Sequence, residues 1–517
     1  MMKYCVVDSC EWTYPDVHTY ETGAASISQT ALSGSLVTFQ IHVWDVACAV
    51  SVRAENLCAD FYEQIPIPVE DNPNFEKEIL PSSRLKRAPF WVNDCLCPWK
   101  GQAEPRRGSV GIYGTISVPA DALGAVTGEL LLSAGGETAY VPVTLSVCSG
   151  ELPRETLQIA MGYSPYNAAK WHGLLEKPKL AEEMDTRYLQ LLRRQHQNRL
   201  YVDPPQITDA GPNRYTFDFT GFNHRVRKGL AMGFTSFHIS GVGFRRAWDS
   251  PVIGIRGMDA LSYEAYVYLR QYLGALRENL RANGWLDRDM FFIGIADEPN
   301  EINALPYRAV CGMVRRIFPE IKIFDACSGA PIYGALDVWV PRSDEYEKNQ
   351  KVFDSYKETG DQVWHYVCLY PRDDGYINRF MDIPLLATRY LYWGNYRYGL
   401  AGYLHWAVNV YENDADPFTA SCPRHVNAGS ASVLPAGDDK LIYPGEGAPW
   451  MSMRLEAHRE SAEEYEMLLA ISKRDKAAAD VLCARGFRSF HDVTYDGRAF
   501  RTLRNEIIQT YSALLSK

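Results

Sequence analysis

The stretch "FFIGIADEPNE", residues 291–301, runs a largely apolar segment into an adjacent Asp297–Glu298 pair and is stopped at once by Pro299. An apolar run of this length reads as a buried strand. Two neighbouring carboxylates at its exit resist joint ionisation, because each negative charge disfavours the other. A chain that ends a core strand this way uses the pair either to cap a helix opening at Pro299 or for chemistry.

Similar short runs lie on both sides. They are "LQIAMGY" (157–163), "RLYVD" (199–203), "TSFHISGVG" (235–243), "KIFDACSG" (322–329), "DVWVP" (337–341), "VWHYVCLYP" (363–371) and "GYLHWAVNVY" (402–411). Helical stretches separate most of them. Within 261–280, Tyr266, Leu269, Leu273, Leu276 and Leu280 recur at three- and four-residue spacing, one helix face. Eight strands with helical crossovers over about 300 residues match a (β/α)8 TIM barrel. A doubly wound sheet is the rival, but no glycine-rich phosphate turn follows the first strand. Counting places Asp297 and Glu298 at the carboxyl end of strand four, where barrel enzymes carry their catalytic groups. The expected barrel spans residues 155–475, and 476–517 forms a C-terminal helical extension packed on it. The helical tail opens at "RLEAHRESAEEYEMLLAISKR" from residue 453.

Residues 1–150 have a different texture and read as a β-sandwich. "SLVTFQIHVWDVACAVSVRAE" (35–55) alternates and is rich in Val. Residues 111–147 read as three strands with "AGGE" as a hairpin turn. The proline-rich piece "EQIPIPVEDNPNFEKEILPSSRLKRAPF" reads as a long connection, and "CSGELPRET" (148–156) as the linker between domains.

The 517 residues carry a formal net charge of −10 with no basic block, which argues against nucleic acid and anionic membrane as partners. The start, "MMKYCVVDSCEWTYPD", is no signal peptide, and no apolar run approaches a membrane span, so a cytoplasmic location is expected. The 12 cysteines are scattered without a CxxC, and the 11 histidines show neither HxxxH nor HxH spacing. Neither a metal site nor a cofactor is expected. The 32 tyrosines and 12 tryptophans suit either large cores or a cleft whose aromatic faces meet the apolar C–H surface of sugars.

Two carboxyl groups flanking a glycosidic bond usually divide acid and nucleophile or base roles. Adjacent residues on an extended strand point in opposed directions, so another division suits this pair better. A 2-acetamido sugar can supply its own nucleophile, the amide oxygen, closing an oxazolinium ring. One carboxylate then orients and charge-balances the amide nitrogen while its neighbour protonates the leaving oxygen. Their mutual repulsion separates the two pKa values and leaves one group protonated near neutral pH.

The "DEP" after a strand, "VWHYVCLYP", "GYLHWAVN" and the long "GDDKLIYPGEGAPWMSMRLEAHRESAEEYEML" (437–468) resemble the domain-of-unknown-function 4091 group, which includes glycoside hydrolase family 123. The resemblance covers roughly residues 85–475. It implies a β-sandwich followed by a (β/α)8 barrel, and retaining, substrate-assisted β-N-acetylgalactosaminidase chemistry. Glu298 would be the acid/base and Asp297 the residue assisting the acetamide. The family's tryptophan-rich motif on strand seven appears here as "WHY", with His365 in place of an aromatic.

Trp364 and Tyr366 share one face of strand seven by alternation, with His365 on the other, and all three are candidate substrate-binding residues. Tyr366 is a candidate to hydrogen-bond the oxazolinium oxygen or a sugar hydroxyl, Trp406 to floor the sugar pocket, and Asn409 to bind a hydroxyl. Tyr163, ending strand one, is similarly placed. Asp382 and Arg389 read as a pair or caps, His196 as structural, and "GDDK" as turn chemistry. The expected partner is an oligosaccharide or glycoconjugate with a terminal β-linked N-acetylhexosamine. The rivals are a glycosidase of the same barrel acting on a sugar without the acetamido group, and a non-catalytic carbohydrate-binding protein.

Overall fold

The computed structural model describes residues 2–73, 84–372 and 375–515. Two antiparallel-rich sheets face each other in the N-terminal region. The larger orders Lys3–Val7, Leu36–Trp44, Ser109–Ser117, Cys58–Val69 and Phe90–Pro98, and then continues into Ala448–Ser452 and Ile442–Gly445. The smaller orders Ile27–Leu32, Glu137–Cys148, Gly124–Ala134 and Ser51–Glu55. The alternation in "LVTFQIHVW" now has a physical reading. Val37, Phe39, Ile41 and Val43 enter the apolar core between the sheets. Thr38 and Gln40 are buried on the opposite face and are hydrogen-bonded there, Thr38 to Glu460 at 2.7 Å and Gln40 to the carbonyls of Asp8 and Glu11.

Two expectations need correction here. Both ends of the proline-rich stretch read as a connection, residues 63–69 and Phe90, are strand: Cys58–Val69 pairs with Phe90–Pro98 and accommodates Pro66 at a register shift between Ile65 and Pro66. A proline lacks the ladder donor, and a bulge is where a sheet tolerates that loss. Residues 74–83 of that stretch lie outside the described residues. The sheet also crosses the expected boundary at residue 150, because Met451 and Ser452 pair with Leu96 and Cys95.

The second half is mixed α/β around a nearly closed, barrel-like parallel sheet of nine strands. Its order is Gln362–Val363, Val338–Pro341, Lys322–Cys327, Phe291–Ile293, Ser236–Ile239, Arg199–Val202, Gln158–Met161, Gly402–His405 and His365–Tyr366. The two end strands are halves of one extended segment interrupted at Trp364, whose amide donates to the Trp339 carbonyl at 2.8 Å. The interior is filled by Ala160, Phe292, Phe324, Val338, Val340, Trp364 and Leu404, with Tyr366 among them. Helices such as Tyr263–Ala282 and Ala304–Ile317 cover the outside, whereas 328–337 joins two strands without one. Regular pairing stops earlier than the apolar runs do, at Ile293 rather than residue 298 and at His405 rather than residue 411. The apolar residues beyond leave the ladder but stay largely buried, Ile295 and Val408 in the main apolar core.

Helix Met453–Ser472 is buried on every side between the two sheet systems. Ser452 caps it by accepting the Leu455 amide, a bond worth about 1 kcal/mol. Its buried charges are paired: Arg454 with Asp94 at 2.8 Å, and Arg459 with Glu456 and Glu463 at 3.1 and 2.6 Å. Such pairs leave a strong penalty if one member is removed, because the other stays buried and unpaired. Arg389 joins Glu460 and Glu464 of this helix rather than Asp382, which accepts from Asn72 at 2.9 Å.

Candidate active site

The ladder of the fourth strand ends at Ile293, and the chain is then held by its neighbour, Lys322–Cys327. Asp325 Oδ2 accepts the amides of Ile295 and Ala296 at 2.7 and 3.2 Å and the Tyr307 hydroxyl at 2.7 Å. One residue farther along, the Ala326 carbonyl takes the Glu298 amide at 3.2 Å. Glu298 itself has a φ of +46°, left-handed backbone that a non-glycine residue rarely adopts. That twist breaks strand alternation and brings two adjacent carboxylates to one mouth. The capping alternative is excluded, because the next helix begins only at Ala304, after Asn303.

Asp297 is exposed at the mouth, and among the described residues no protein donor hydrogen-bonds its carboxylate. The surrounding protein mass pushes its pKa up, the Glu298 and Asp325 charges push the same way, and Arg245 opposes them. Solvent at the carboxylate softens the desolvation part of that push, and the direction remains upward. Arg245, whose guanidinium lies 4.6 Å from the centre of the Trp248 ring, also donates to the Asp297 carbonyl. Buried Asp325 is raised to about 6, because loss of water outweighs the donors on its carboxylate. Tyr201, on the second strand, adds a partly exposed ring at 4.8 Å from His238.

Tyr366 points into the sheet interior and donates its hydroxyl to Glu298 Oε1. That leaves the second Glu298 oxygen for a ligand. Trp406 leaves the eighth strand beside it, half-buried, with its indole N–H 3.3 Å from Asp438 Oδ2 and its ring centre 5.3 Å from that of His425. Gly162 is needed for this placement, since a Cβ there would lie 1.9 Å from the Trp406 carbonyl. Asp438 is buried and pairs with Arg379, whose Nε lies 3.0 Å from His405 Nε2. The "GDDK" segment therefore does more than turn: it steers the tryptophan.

The other expected site residues lie away from this constellation. Trp364 is fully buried below it, its ring 4.2 Å from the Arg199 guanidinium. His365 faces outward to Asn395 at 2.9 Å, and burial lowers it to about 4. Tyr163 turns to the outer helices, bonding Asp185 at 2.9 Å and stacking on Tyr188. Asn409 is buried with both ends of its amide on the Ser164 backbone at 2.9 Å. The Tyr163 hydroxyl, the Asn409 amide and His365 Nε2 are thus each engaged by protein groups. Sequence reasoning missed Asp325, Arg245, Tyr201 and Asp438. An aspartate inside the apolar run "KIFDAC" was a usable signal for the first, whereas "GFRRAWD" held none for Arg245.

Among the described residues no group of three or more His, Cys, Asp or Glu side chains could hold a metal ion. No helix among them is long and apolar enough to cross a membrane. The structure of a family 123 glycoside hydrolase from Clostridium perfringens, described for glycolipid glycan hydrolysis, overlays with a TM-score of 0.75 at 12% identity, covering 100% of this chain and 97% of that one. A β-galactosidase from the psychrophilic Marinomonas ef1 overlays far less well, at a TM-score of 0.38 with 9% identity over 64% of this chain and 62% of that one. The Thermotoga petrophila endo-beta-1,4-mannanase reaches 0.34 with 11% identity over 61% and 78%. A comparison with curated proteins returns no match. The model of the glycoside hydrolase 123 catalytic domain matches residues 164–471, a span that holds the carboxylate pair, Tyr366, Trp406 and the buried helix, so the chain belongs to glycoside hydrolase family 123.

Proposed function

We propose that this glycosidase is an exo-acting, retaining β-N-acetylhexosaminidase that removes terminal GalNAc from glycolipid glycans by substrate-assisted catalysis. We count the two end strands around Trp364 as one, which makes the sheet an eight-stranded barrel of the (β/α)8 type that lacks the helix after its fifth strand, with Asp297 and Glu298 at its fourth exit. The observation that carries the reading is the unequal treatment of the pair. Glu298 is held by Tyr366, while the Asp297 carboxylate is exposed and has no protein donor among the described residues. An open carboxylate beside a positioned one suits a substrate N–H.

In the proposed reaction the acetamide oxygen attacks the anomeric carbon as the bond to the leaving oxygen breaks. Glu298 delivers its proton to that oxygen, and Asp297, which acts in its ionised form and so only above its raised pKa, accepts the amide N–H and balances the charge of the oxazolinium ring. Water then adds to the anomeric carbon on the vacated face, returns a proton to Glu298 and reopens the acetamide, which retains the β configuration. Trp406 provides the apolar floor. A panel of aryl β-glycosides tests the assignment: turnover of the 2-acetamido sugars alone supports it, and equal turnover of aryl β-galactoside or glucoside overturns it.

A further inference from the structure

About half of the exposed large apolar side chains among the described residues sit on segments leaving the C-terminal ends of the parallel strands or open the helix that follows. Parallel strands send all those exits to one face, the face that holds the carboxylate pair. Phe244 follows the third strand, Ile302 and Leu305 (53% and 77% exposed) the fourth, Tyr333 the fifth, Tyr370 the seventh and Val426 (58%) the eighth. Scattered single apolar residues are ordinary, but a set gathered around one rim marks an interaction surface. The segments are tied together. The Trp248 amide donates to the Ala428 carbonyl at 3.2 Å, the Ser328 hydroxyl to the Pro299 carbonyl at 3.1 Å, and Arg342 lies 5.5 Å from the Tyr370 ring centre.

The chemistry of the rim selects its occupant. Ile302, Leu305 and Val426 have no aromatic face on which a sugar could stack, so the rim is more than an extended glycan subsite. The exposed charges among them are mixed, with Arg246, Arg308 and Arg424 interleaved with Asp249, Glu301 and Asp414. Mixed charge gives no attraction to a surface of either sign, and the whole chain is acidic. We propose that this rim seats on a neutral lipid surface, turning the Asp297–Glu298 mouth toward the headgroups of glycolipids embedded there. The inference rests on the glycolipid reading above and adds the surface that brings enzyme and bilayer together. Apolar side chains at loop tips insert into the boundary between headgroups and acyl chains, and binding scales with the apolar area buried.

Flotation with phosphatidylcholine vesicles, with and without a neutral glycosphingolipid, tests it on the full chain. The wild-type protein is expected to float with both, and to remain bound at high salt. The triple variant Ile302→Ser, Leu305→Ser, Val426→Ser should lose at least about tenfold in partitioning, since each loses apolar area otherwise withdrawn from water. Its thermal unfolding and its turnover of soluble aryl glycosides should be unchanged, while turnover of vesicle-embedded glycolipid falls in step with partitioning. Wild-type protein that stays with the soluble fraction overturns the proposal, as does a triple variant that floats equally well. A wild-type dimer split by the same substitutions would assign the rim to a second copy and also overturn it. Protein that floats but cleaves no aryl β-N-acetylhexosaminide leaves the docking surface standing and removes the proposed chemistry.

Discussion

Asp325 holds the site together at a cost to stability, and replacing it separates the two effects. Its carboxyl is raised from 3.8 to about 6 in the folded protein, foremost by burial. A carboxyl raised on folding contributes stability that is present below its unfolded value and lost as pH rises through its folded value. The shift of roughly two units corresponds to about 3 kcal/mol, so at neutral pH the ionised group weighs on the fold by up to that amount. Asp325→Asn keeps an oxygen for the two backbone amides and the Tyr307 hydroxyl but removes the buried charge. It should therefore be as stable as the parent or more stable by up to roughly 3 kcal/mol at pH 7.5, an advantage that shrinks toward zero near pH 4. Urea unfolding at the two pH values reads this directly. Because Asp325 is also one of the charges that hold Asp297 up, the acid limb of kcat/KM should move to lower pH in the same variant. Asp325→Ala is the contrasting case. It strands three donors at about 1–3 kcal/mol each and releases the turn that aims the pair, for a loss of about 10²-fold in kcat. An Asn variant destabilised by more than about 2 kcal/mol at pH 7.5, or an Ala variant with parental kcat, would refute this reasoning.

Three further outcomes are expected. Glu298→Gln should lose about 10²–10⁴-fold in kcat/KM on a poor leaving group and much less on a highly acidic phenol, which needs little protonation; equal losses remove Glu298 from the acid role. Asp438→Ala frees the Trp406 indole and leaves Arg379 buried without its carboxylate, so KM should rise and stability should fall by about 3–5 kcal/mol. A fall in kcat with unchanged KM would contradict the floor assigned to Trp406. His196 is raised to about 9 by Glu155 and Glu463, which outweigh its burial. The stability it contributes, roughly 3 kcal/mol at most, is complete below about pH 6.5 and lost as pH rises through about 9. Chemical denaturation at both ends of that window should show the slope in the parent and a flatter one in His196→Gln.

What was legible in the sequence was what period and strand exits encode. The run 291–298 placed the carboxylate pair on the exit of the fourth strand, and alternation in "WHY" put Trp364 and Tyr366 on one face and His365 on the other, as they lie. Alternation could not say how deep along the strand a side chain lies, and so Trp364 was counted among the substrate-binding candidates although it is buried beneath the mouth. Asn409 and Tyr163 show a second limit. A polar side chain at a strand exit looks the same in sequence whether water, a ligand or a neighbouring backbone satisfies it. The left-handed turn at Glu298 was also invisible, because it is imposed by Asp325 and Ala326 from the adjoining strand. Arg245 and Asp438 reach the site from long exit segments whose paths no local pattern specifies. The sheet's recruitment of residues 442–452 escaped for the same reason.

The central claim is that the substrate's own amide oxygen is the nucleophile and that Asp297 assists it without bonding to the sugar. Turnover of aryl 2-acylamido glycosides carrying zero, one, two and three fluorines on the acyl methyl group tests it most directly. Each fluorine withdraws electron density from the amide oxygen and leaves the leaving group untouched. The account predicts that kcat/KM falls steeply and progressively with fluorine number, and that Asp297→Asn lowers turnover far more than it lowers substrate affinity. A flat dependence, together with a stable covalent sugar adduct on any carboxylate, would contradict it.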